Sequence, residues 1–341
     1  MIKFHILVSG YGAIAKRHIN NLEKLGCIKS LSIVKRTSID KVFNTDYPVK
    51  IYTSFDEALN EKIDFAIVAS PANFHFEQVR KLTNLGVPCF IEKPLTSSAS
   101  EASMLIDFLL EKKAYCAIGY DLVETIGFSG LKEKINSGQL GGIWWVDISV
   151  GQFLPDWRPQ KAYKDTVSAQ KQLGGGALRE LSHELDYLLA LFDILKITFN
   201  AHLVNHHHLT MDCENEANIF GELLLKNQNE EASFAIHLDM LQRKPKRTIQ
   251  VYGEFGVIIW DLIAQKITLQ LVDQKCTVLD VCEEGNQPYL QLLKKFIQSH
   301  KKTEVSKEIY RAKSVMKWIE LVEVAAESGM RQVLNLEKHN E

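Results

Sequence analysis

The chain has 341 residues, 46% of them apolar and 24% charged, with a formal net charge of −2. That length holds one large or two ordinary domains with full cores, and the balance is that of a soluble globular protein. The near-zero charge excludes the basic field of a nucleic-acid binder, and no apolar stretch reaches the length of a membrane span.

The N-terminus enters a strand pattern at once, without the charged leader and cleavage site of a secretory signal. Six cysteines, at positions 27, 89, 116, 213, 276 and 282, show no Cys-x-x-Cys and no paired spacing. They read as reduced thiols of a cytoplasmic protein, with Cys89 and Cys116 buried in strands.

In chain order, "FHILVSG" (4–10) reads as a strand, and "AIAKRHINNLEKL" (13–25) has helical period and closes at Gly26. "SLSIVKR" (30–36) is a second strand and "DFAIVAS" (64–70) a third. "FHFEQVRKLTNL" (74–85) is a helix closing at Gly86, followed by the strand "VPCFIEK" (87–93). "SEASMLIDFLLEKKA" (100–114) is a helix with Ser100 as its N-cap, and "YCAIGYD" (115–121) is a strand. Alternation of this kind predicts βαβ units and a parallel sheet, with strands such as Phe65 to Ala69 buried on both faces.

After about residue 122 the pattern changes. A helix, "LKEKINSG" (131–138), precedes an alternating strand, "GIWWVDISVGQF" (142–153). A loop rich in Pro, Trp, Arg and Tyr leads to "GGGALRELSHELDYLLALF" (174–192), which reads as one long helix. From 197 to about 283 come strands with few helices, namely "ITFNAHLV", "NIFGELLL", "ASFAIHLDML", "TIQVYGEFGVIIW" and "KITLQLV"; the tail, 287–330, returns to helix. The expected class is therefore α/β. A doubly wound (Rossmann) parallel sheet over 1–121 precedes an α+β domain over 122–341 with a large, open, mostly antiparallel sheet. The helices of 287–330 are expected to pack back on the first domain. The cations Arg243, Lys244, Lys246 and Arg247 read as a solvated hairpin tip. The run His206-His207-His208 reads as a strand whose histidines alternate faces, and no metal site is expected.

The stretch "VSGYGAIAKRH" (8–18) carries the first chemical signal. At a strand–turn–helix junction, Gly10 and Gly12 allow a sharp turn and close approach of a pyrophosphate, while the helix from Ala13 presents free N–H groups. Ala15 stands at the third small position. The end of the second strand carries Lys35, Arg36 and Thr37, with no acid before Asp40. Two cations and a hydroxyl suit a 2′-phosphate, so NADP is favoured and NAD is the alternative.

Two further stretches carry chemistry. "FIEKPL" places Glu92 and Lys93 at the end of a parallel strand, on the edge where doubly wound folds bind ligands. "GGGALRELSHELDYL" places His183 and Asp186 one turn apart on a helix face. With "VASPANFH", carrying Pro71 and His75, "SGQLGG" (137–142), "NQPYLQLLKKF" and a final helix with "AAESG", the chain resembles the glucose–fructose oxidoreductase / inositol dehydrogenase (Gfo/Idh/MocA) family through nearly its whole length.

That resemblance implies an NAD(P)-dependent oxidoreductase acting on CH–OH groups of a sugar, cyclitol or sugar derivative. It implies that Lys93 hydrogen-bonds the reacting hydroxyl and that His183 gives or takes its proton. The chemistry agrees: an imidazole suits proton exchange near neutrality, an ammonium stabilises a developing alkoxide, and Asp186 can orient the imidazole. Cofactor contacts are implied at Gly10, Gly12, Ala13, Ile14, Lys35, Arg36, Thr37, Ser70, Pro71, Asn73, His75, Glu92 and Lys93. In much of the family a carboxylate precedes the histidine by four residues. Here Arg179 holds that place, and Glu180, three residues before, is expected to substitute on a shared helix face.

The segment "GQFLPDWRPQKAYKDTVSAQKQLGGG" resembles a branch tied to bacterial surface-polysaccharide pathways, whose substrates are often nucleotide sugars. Trp157 offers a flat face, Arg158 a fork for phosphate and Tyr163 a further donor. A free-sugar or inositol dehydrogenase is the alternative enzyme, and a cofactor-binding regulator without catalysis is the alternative of another class. A partly apolar outer sheet face, with Ser233, Ala235, His237 and Asp239 opposite Ala232, Phe234, Ile236, Leu238 and Met240, predicts a homodimer or homotetramer.

Overall fold

The computed structural model describes residues 2–35, 44–228, 230–303 and 305–336, and the chain divides into two compact units. The first comprises Met1–Asp121 with Asn286–Met316, the second Leu122–Gly285 with Lys317–Glu341.

The first unit is built on six strands: β1 (Phe4–Ser9), β2 (Ile28–Val34), β3 (Val49–Tyr52), β4 (Phe65–Val68), β5 (Cys89–Ile91) and β6 (Cys116–Ile118). Their spatial order is β3-β2-β1-β4-β5-β6, with every pair parallel. Helices α1 (Ala13–Lys24), α2 (Phe55–Ala58), α3 (His75–Asn84) and α4 (Ala99–Lys112) connect them. The chain order reverses between β1 and β4, which opens a crevice at the carboxyl ends of those strands. Short strands buried throughout, such as Phe65-Ala66-Ile67-Val68, need no alternation because both faces are covered. Cys89 and Cys116 are register partners on β5 and β6, both fully buried.

Two local readings are corrected here. Strand β3 escapes the apolar-run pattern because it has only four half-buried or exposed residues. The N-cap of α4 is Ser98 rather than Ser100. Ser98 Oγ accepts from the Glu101 amide at 3.2 Å, while the Glu101 carboxylate accepts from the Ser97 amide and hydroxyl, a capping box that Ser100 has no Glu in place to complete.

The second unit continues with α5 (Ile126–Asn136), β7 (Ile143–Gly151), α6 (Ala177–Glu180), α7 (His183–Leu191), β8 (Ile194–Val204), β9 (Glu216–Leu225), β10 (Ala232–Asp239), β11 (Lys246–Gly253), β12 (Gly256–Asp261), β13 (Lys266–Leu271) and β14 (Thr277–Asp280). Helices α8 (Gln287–Ser299) and α9 (Lys307–Ser328) follow, then β15 (Gln332–Asn335). Helix α8 belongs to the first unit, where Leu292, Leu293 and Phe296 join the core around Phe65 and Phe90. The nine strands of the second unit run β14-β13-β12-β11-β7-β10-β9-β8-β15, antiparallel except between β7 and β10. "TIQVYGEFGVIIW" is two strands, a hairpin turning at Glu254–Phe255.

The alternation along β10 is as expected: Ala232, Phe234, Ile236 and Leu238 are buried, Ser233, Ala235 and His237 half-buried. Trp318 of α9 packs edge-on to Phe234 at 6.0 Å and closes the inner face. One row of the outer face runs Val333, Thr198, Glu222, Ser233, Trp145, Tyr252 by strand register. Val333, Trp145 and Tyr252 in that row, with Phe220 beside it, are large apolar or aromatic side chains exposed on this face.

Three further readings change. The stretch 174–192 is not one helix but two, because α6 ends after a single turn at Leu181 before α7 begins at His183. The buried Glu214 carboxylate takes the Leu178 amide at 3.1 Å and fixes where α6 begins. The three histidines 206–208 lie in a turn after β8 rather than in a strand, with His206 paired to Glu216 at 2.6 Å, and no metal-binding group is found among the described residues. Arg247 is not part of a solvated tip. It lies on β11 and grips the fully buried Glu184 of α7 through two parallel bonds, Nε to Oε1 at 2.7 Å and Nη2 to Oε2 at 3.1 Å.

Candidate active site

In the first unit, the β1–α1 junction has the form a dinucleotide requires. Gly10 takes φ +96°, and a Cβ there would lie 2.4 Å from the Ala69 carbonyl oxygen, so the turn is pressed against the end of β4. Gly12, the N-cap of α1, has no atom within 4 Å of where a Cβ would stand. No side chain caps the helix and no acid occupies its first turn, so the first amides point into open space. Gly12 and Ala13 are exposed and Ile14 half-buried, while Ala15 is fully buried beneath them. A diphosphate fits this cradle, and the nicotinamide of such a dinucleotide would supply the hydride chemistry. Gly10→Ala is expected to abolish cofactor binding, because the positive φ and the clash act together; equilibrium titration of the purified variant checks it.

Beside this turn, Gln78 of α3 joins the two loops of the crevice. Its Oε1 accepts from Ser9 Oγ and Ser70 Oγ, each at 2.8 Å. Gln78 had no signal beyond helical spacing from His75. Pro71 and Asn73 border the same loop, Asn73 exposed on a short 3-10 turn. His75 is 1% exposed, and both ring nitrogens face backbone carbonyls, Ser70 at 2.8 Å and Pro94 at 3.0 Å. A polar contact from its ring to the cofactor, as the resemblance implied, would have to displace one of these bonds. Burial holds its pKa below the ordinary imidazole value, against the pull of the carbonyls and of Glu92.

Glu92 and Lys93 follow β5, at the carboxyl edge. Glu92 is buried and its Oε1 lies 2.5 Å from Nε2 of His18, a residue of α1. Lys93 is half-buried. Lys35 leaves the end of β2 half-buried, its amide bonded to the Tyr52 carbonyl at 2.9 Å; Arg36 and Thr37 lie outside the described residues.

In the second unit, His183 opens α7, half-buried, and Asp186 follows one turn later, 1% exposed. The Arg247–Glu184 pair anchors the same first turn to β11. Glu180 lies on α6, separated from His183 by the turn at Leu181–Ser182, so the shared helix face expected of the two does not exist. Arg179 is committed to an ion pair with Glu323 of α9. Trp157 is half-buried at the end of a 3-10 turn and Arg158 is exposed beside it. The Tyr163 hydroxyl accepts from the Thr210 amide at 3.0 Å and keeps its own proton to donate.

A family profile described as "Oxidoreductase family, NAD-binding Rossmann fold" matches residues 4–120, and one described as "GFO/IDH/MocA C-terminal domain" matches residues 128–259. The chain belongs to the GFO/IDH/MocA oxidoreductase family. An oxidoreductase of Formosa agariphila is 24% identical over 249 residues, 70% of this chain and 74% of that protein. The scyllo-inositol 2-dehydrogenase (NADP(+)) of Bacillus subtilis is 26% identical over 187 residues, 52% of this chain and about half (51%) of its own length. Among solved structures, the WlbA dehydrogenase of Bordetella pertussis, in complex with NADH and UDP-GlcNAcA, shares the fold with a TM-score of 0.77 at 16% identity, over 98% of this chain and 99% of that one. Family membership makes this chain an oxidoreductase with an NAD-binding domain. No helix among the described residues is long and apolar enough to cross a membrane.

Proposed function

We propose that the protein is a dehydrogenase that moves a hydride between a nicotinamide dinucleotide and a secondary alcohol or ketone of a sugar derivative, a nucleotide sugar of surface-polysaccharide synthesis. The observation that carries this is the placement of Lys93: at the carboxyl edge of β5, in the same unit as the uncapped glycine turn. In this reading Lys93 donates a hydrogen bond to the reacting oxygen and stabilises alkoxide character. An imidazole nitrogen of His183 takes the hydroxyl proton during oxidation and returns it during reduction, with Asp186 orienting the ring. Trp157, Arg158 and Tyr163 are the proposed contacts to the sugar and its diphosphate, and Glu180 a further substrate contact. The UDP-GlcNAcA bound by a protein of the same fold is consistent with this class.

A free sugar or an inositol is the second reading, favoured by the inositol dehydrogenases among the curated relatives. A panel of UDP-sugars, free sugars and inositols, followed by cofactor absorbance with NAD and NADP, separates the two. Turnover restricted to the nucleotide sugars is expected, and turnover restricted to inositols would transfer the assignment.

NADP is the proposed cofactor, held by Lys35, Arg36 and Thr37. Charge-assisted contacts to a phosphate are worth about 1.5–3 kcal/mol each, so Lys35→Asp with Arg36→Ile is expected to shift preference toward NAD by about tenfold or more. Unchanged relative affinity for the two cofactors would place these side chains away from the phosphate.

The outer sheet face is proposed to pair with a second copy, giving a homodimer or homotetramer. The exposed Val333, Phe220, Trp145 and Tyr252 make a patch that a twofold contact would cover. Light scattering is expected to give a multiple of the 38.8 kDa chain mass, reduced to that mass by Ala235→Glu. A monomer in the unsubstituted protein would end this part of the proposal. A cytoplasmic location accords with the four buried free cysteines, Cys27, Cys89, Cys116 and Cys213.

A further inference from the structure

Two buried histidines grip the residues on either side of Lys93. On one side, His18 is fully buried on α1, with Nε2 2.5 Å from Oε1 of Glu92. Its ring stands edge-on to Phe90 at 5.1 Å and to Tyr289 at 6.3 Å, which fixes the direction of Nε2. Nδ1 has no hydrogen-bond partner. A bare lone pair is a cheaper orphan there than a buried N–H, so the proton sits on Nε2 and is donated to the carboxylate. Glu92 is also confined from the opposite direction. A Cβ at residue 119, just past β6, would lie 2.8 Å from Oε1, so only glycine leaves the carboxylate its place.

On the other side, His75 reaches the Pro94 carbonyl with Nδ1 and the Ser70 carbonyl with Nε2. It thereby ties the chain just after Lys93 to the loop that follows β4. His18 and His75 each belong to a helix that starts from one of the two loops lining the crevice, α1 from the glycine turn and α3 from residues 69–74.

We propose that His18 and His75 are positioning residues that fix the backbone on both flanks of Lys93 and so aim its ammonium. This rests on the reading of Lys93 as the group that hydrogen-bonds the reacting oxygen. A misplacement of about 1 Å at such a group costs turnover on the order of 10²-fold while leaving remote binding intact.

The test compares His18→Leu and His75→Leu with the bond-conserving His18→Gln and His75→Asn, whose amide nitrogens reproduce the Nε2 and Nδ1 donors. Three quantities are read: kcat and KM on the substrate found by the panel, cofactor affinity, and the titration of Lys93 Nζ by 13C NMR of the reductively methylated protein. The Lys93 signal is assigned by its loss in Lys93→Arg. Each leucine variant is expected to lose kcat by about 10- to 100-fold, with cofactor affinity close to wild type and a displaced Lys93 titration; the amide variants recover most of both. Gly119→Ala, which crowds the Glu92 carboxylate without touching either histidine, is expected to displace the Lys93 titration as His18→Leu does.

Wild-type kcat with an unchanged Lys93 titration in the leucine variants overturns the proposal. Should a leucine variant fail to fold, an unchanged Lys93 titration in Gly119→Ala overturns it equally. Wild-type turnover in Lys93→Met would instead overturn the proposed role of Lys93, and the NMR comparison would still decide whether the histidines position it.

Discussion

Lys93→Met is expected to lower kcat by about 10²- to 10⁴-fold while cofactor affinity stays near its wild-type value. The two halves of the expectation have separate physical sources. Affinity for a dinucleotide comes from the glycine turn and the uncapped amides of α1, none of which involves residue 93. Turnover needs a cation where negative charge grows on the reacting oxygen, and methionine fills the same volume without supplying one. His183→Ala is expected to fall in the same range, because removal of the imidazole leaves the hydroxyl proton no acceptor of suitable pKa. Stopped-flow turnover beside a fluorescence titration of the cofactor reads both quantities. Near wild-type kcat in either variant on the true substrate would remove that residue from the chemistry.

The largest stability effect is expected at Arg247. Replacing it with Met leaves the Glu184 carboxylate, fully buried on α7, without its bidentate partner, and losses of about 3–5 kcal/mol are typical when one member of a buried pair is removed. The neighbouring Tyr187 hydroxyl, which burial pushes well above its ordinary pKa, shows how little solvent reaches this region to compensate. Since Glu184 directly follows His183, the pair also ties the histidine's helix to β11, so activity should fall with stability. Lys244→Ala, an exposed change between β10 and β11, should stay within about 0.5 kcal/mol of the parent. Urea unfolding of the two variants measures the contrast, and a loss at Arg247 no larger than that at Lys244 would mean that Glu184 is not held by this pair.

The first unit was largely legible in the sequence because its strands are continuous apolar runs separated by capped amphipathic helices. The exception, β3, is too short and too exposed to print a pattern. In the second unit the strict alternation of β10 placed its two faces correctly, since the period of a strand carries directly into burial. The failures share one cause: they are tertiary pairings between residues distant in the chain. Arg247 looks like its cationic neighbours until Glu184, 63 residues away, is seen to face it. The break between α6 and α7 follows from long-range demands, with Glu214 holding the start of α6 and Glu323 taking Arg179. At the candidate site, glycines and strand-end residues were recognisable by position. His18 offered only its helical spacing from Ile14 and Leu22 as a sign of burial, and nothing local pointed to Glu92 as its partner.

The most direct test of hydride transfer uses reduced cofactor carrying deuterium at nicotinamide C4, incubated with the keto forms of the sugar panel and analysed by mass spectrometry. The account predicts deuterium on a carbinol carbon of a sugar-derived product, absent from the product mixture of Lys93→Met. Tight binding of the cofactor with no deuterium transferred to any member of the panel would contradict it and point to a cofactor-binding protein without dehydrogenase activity.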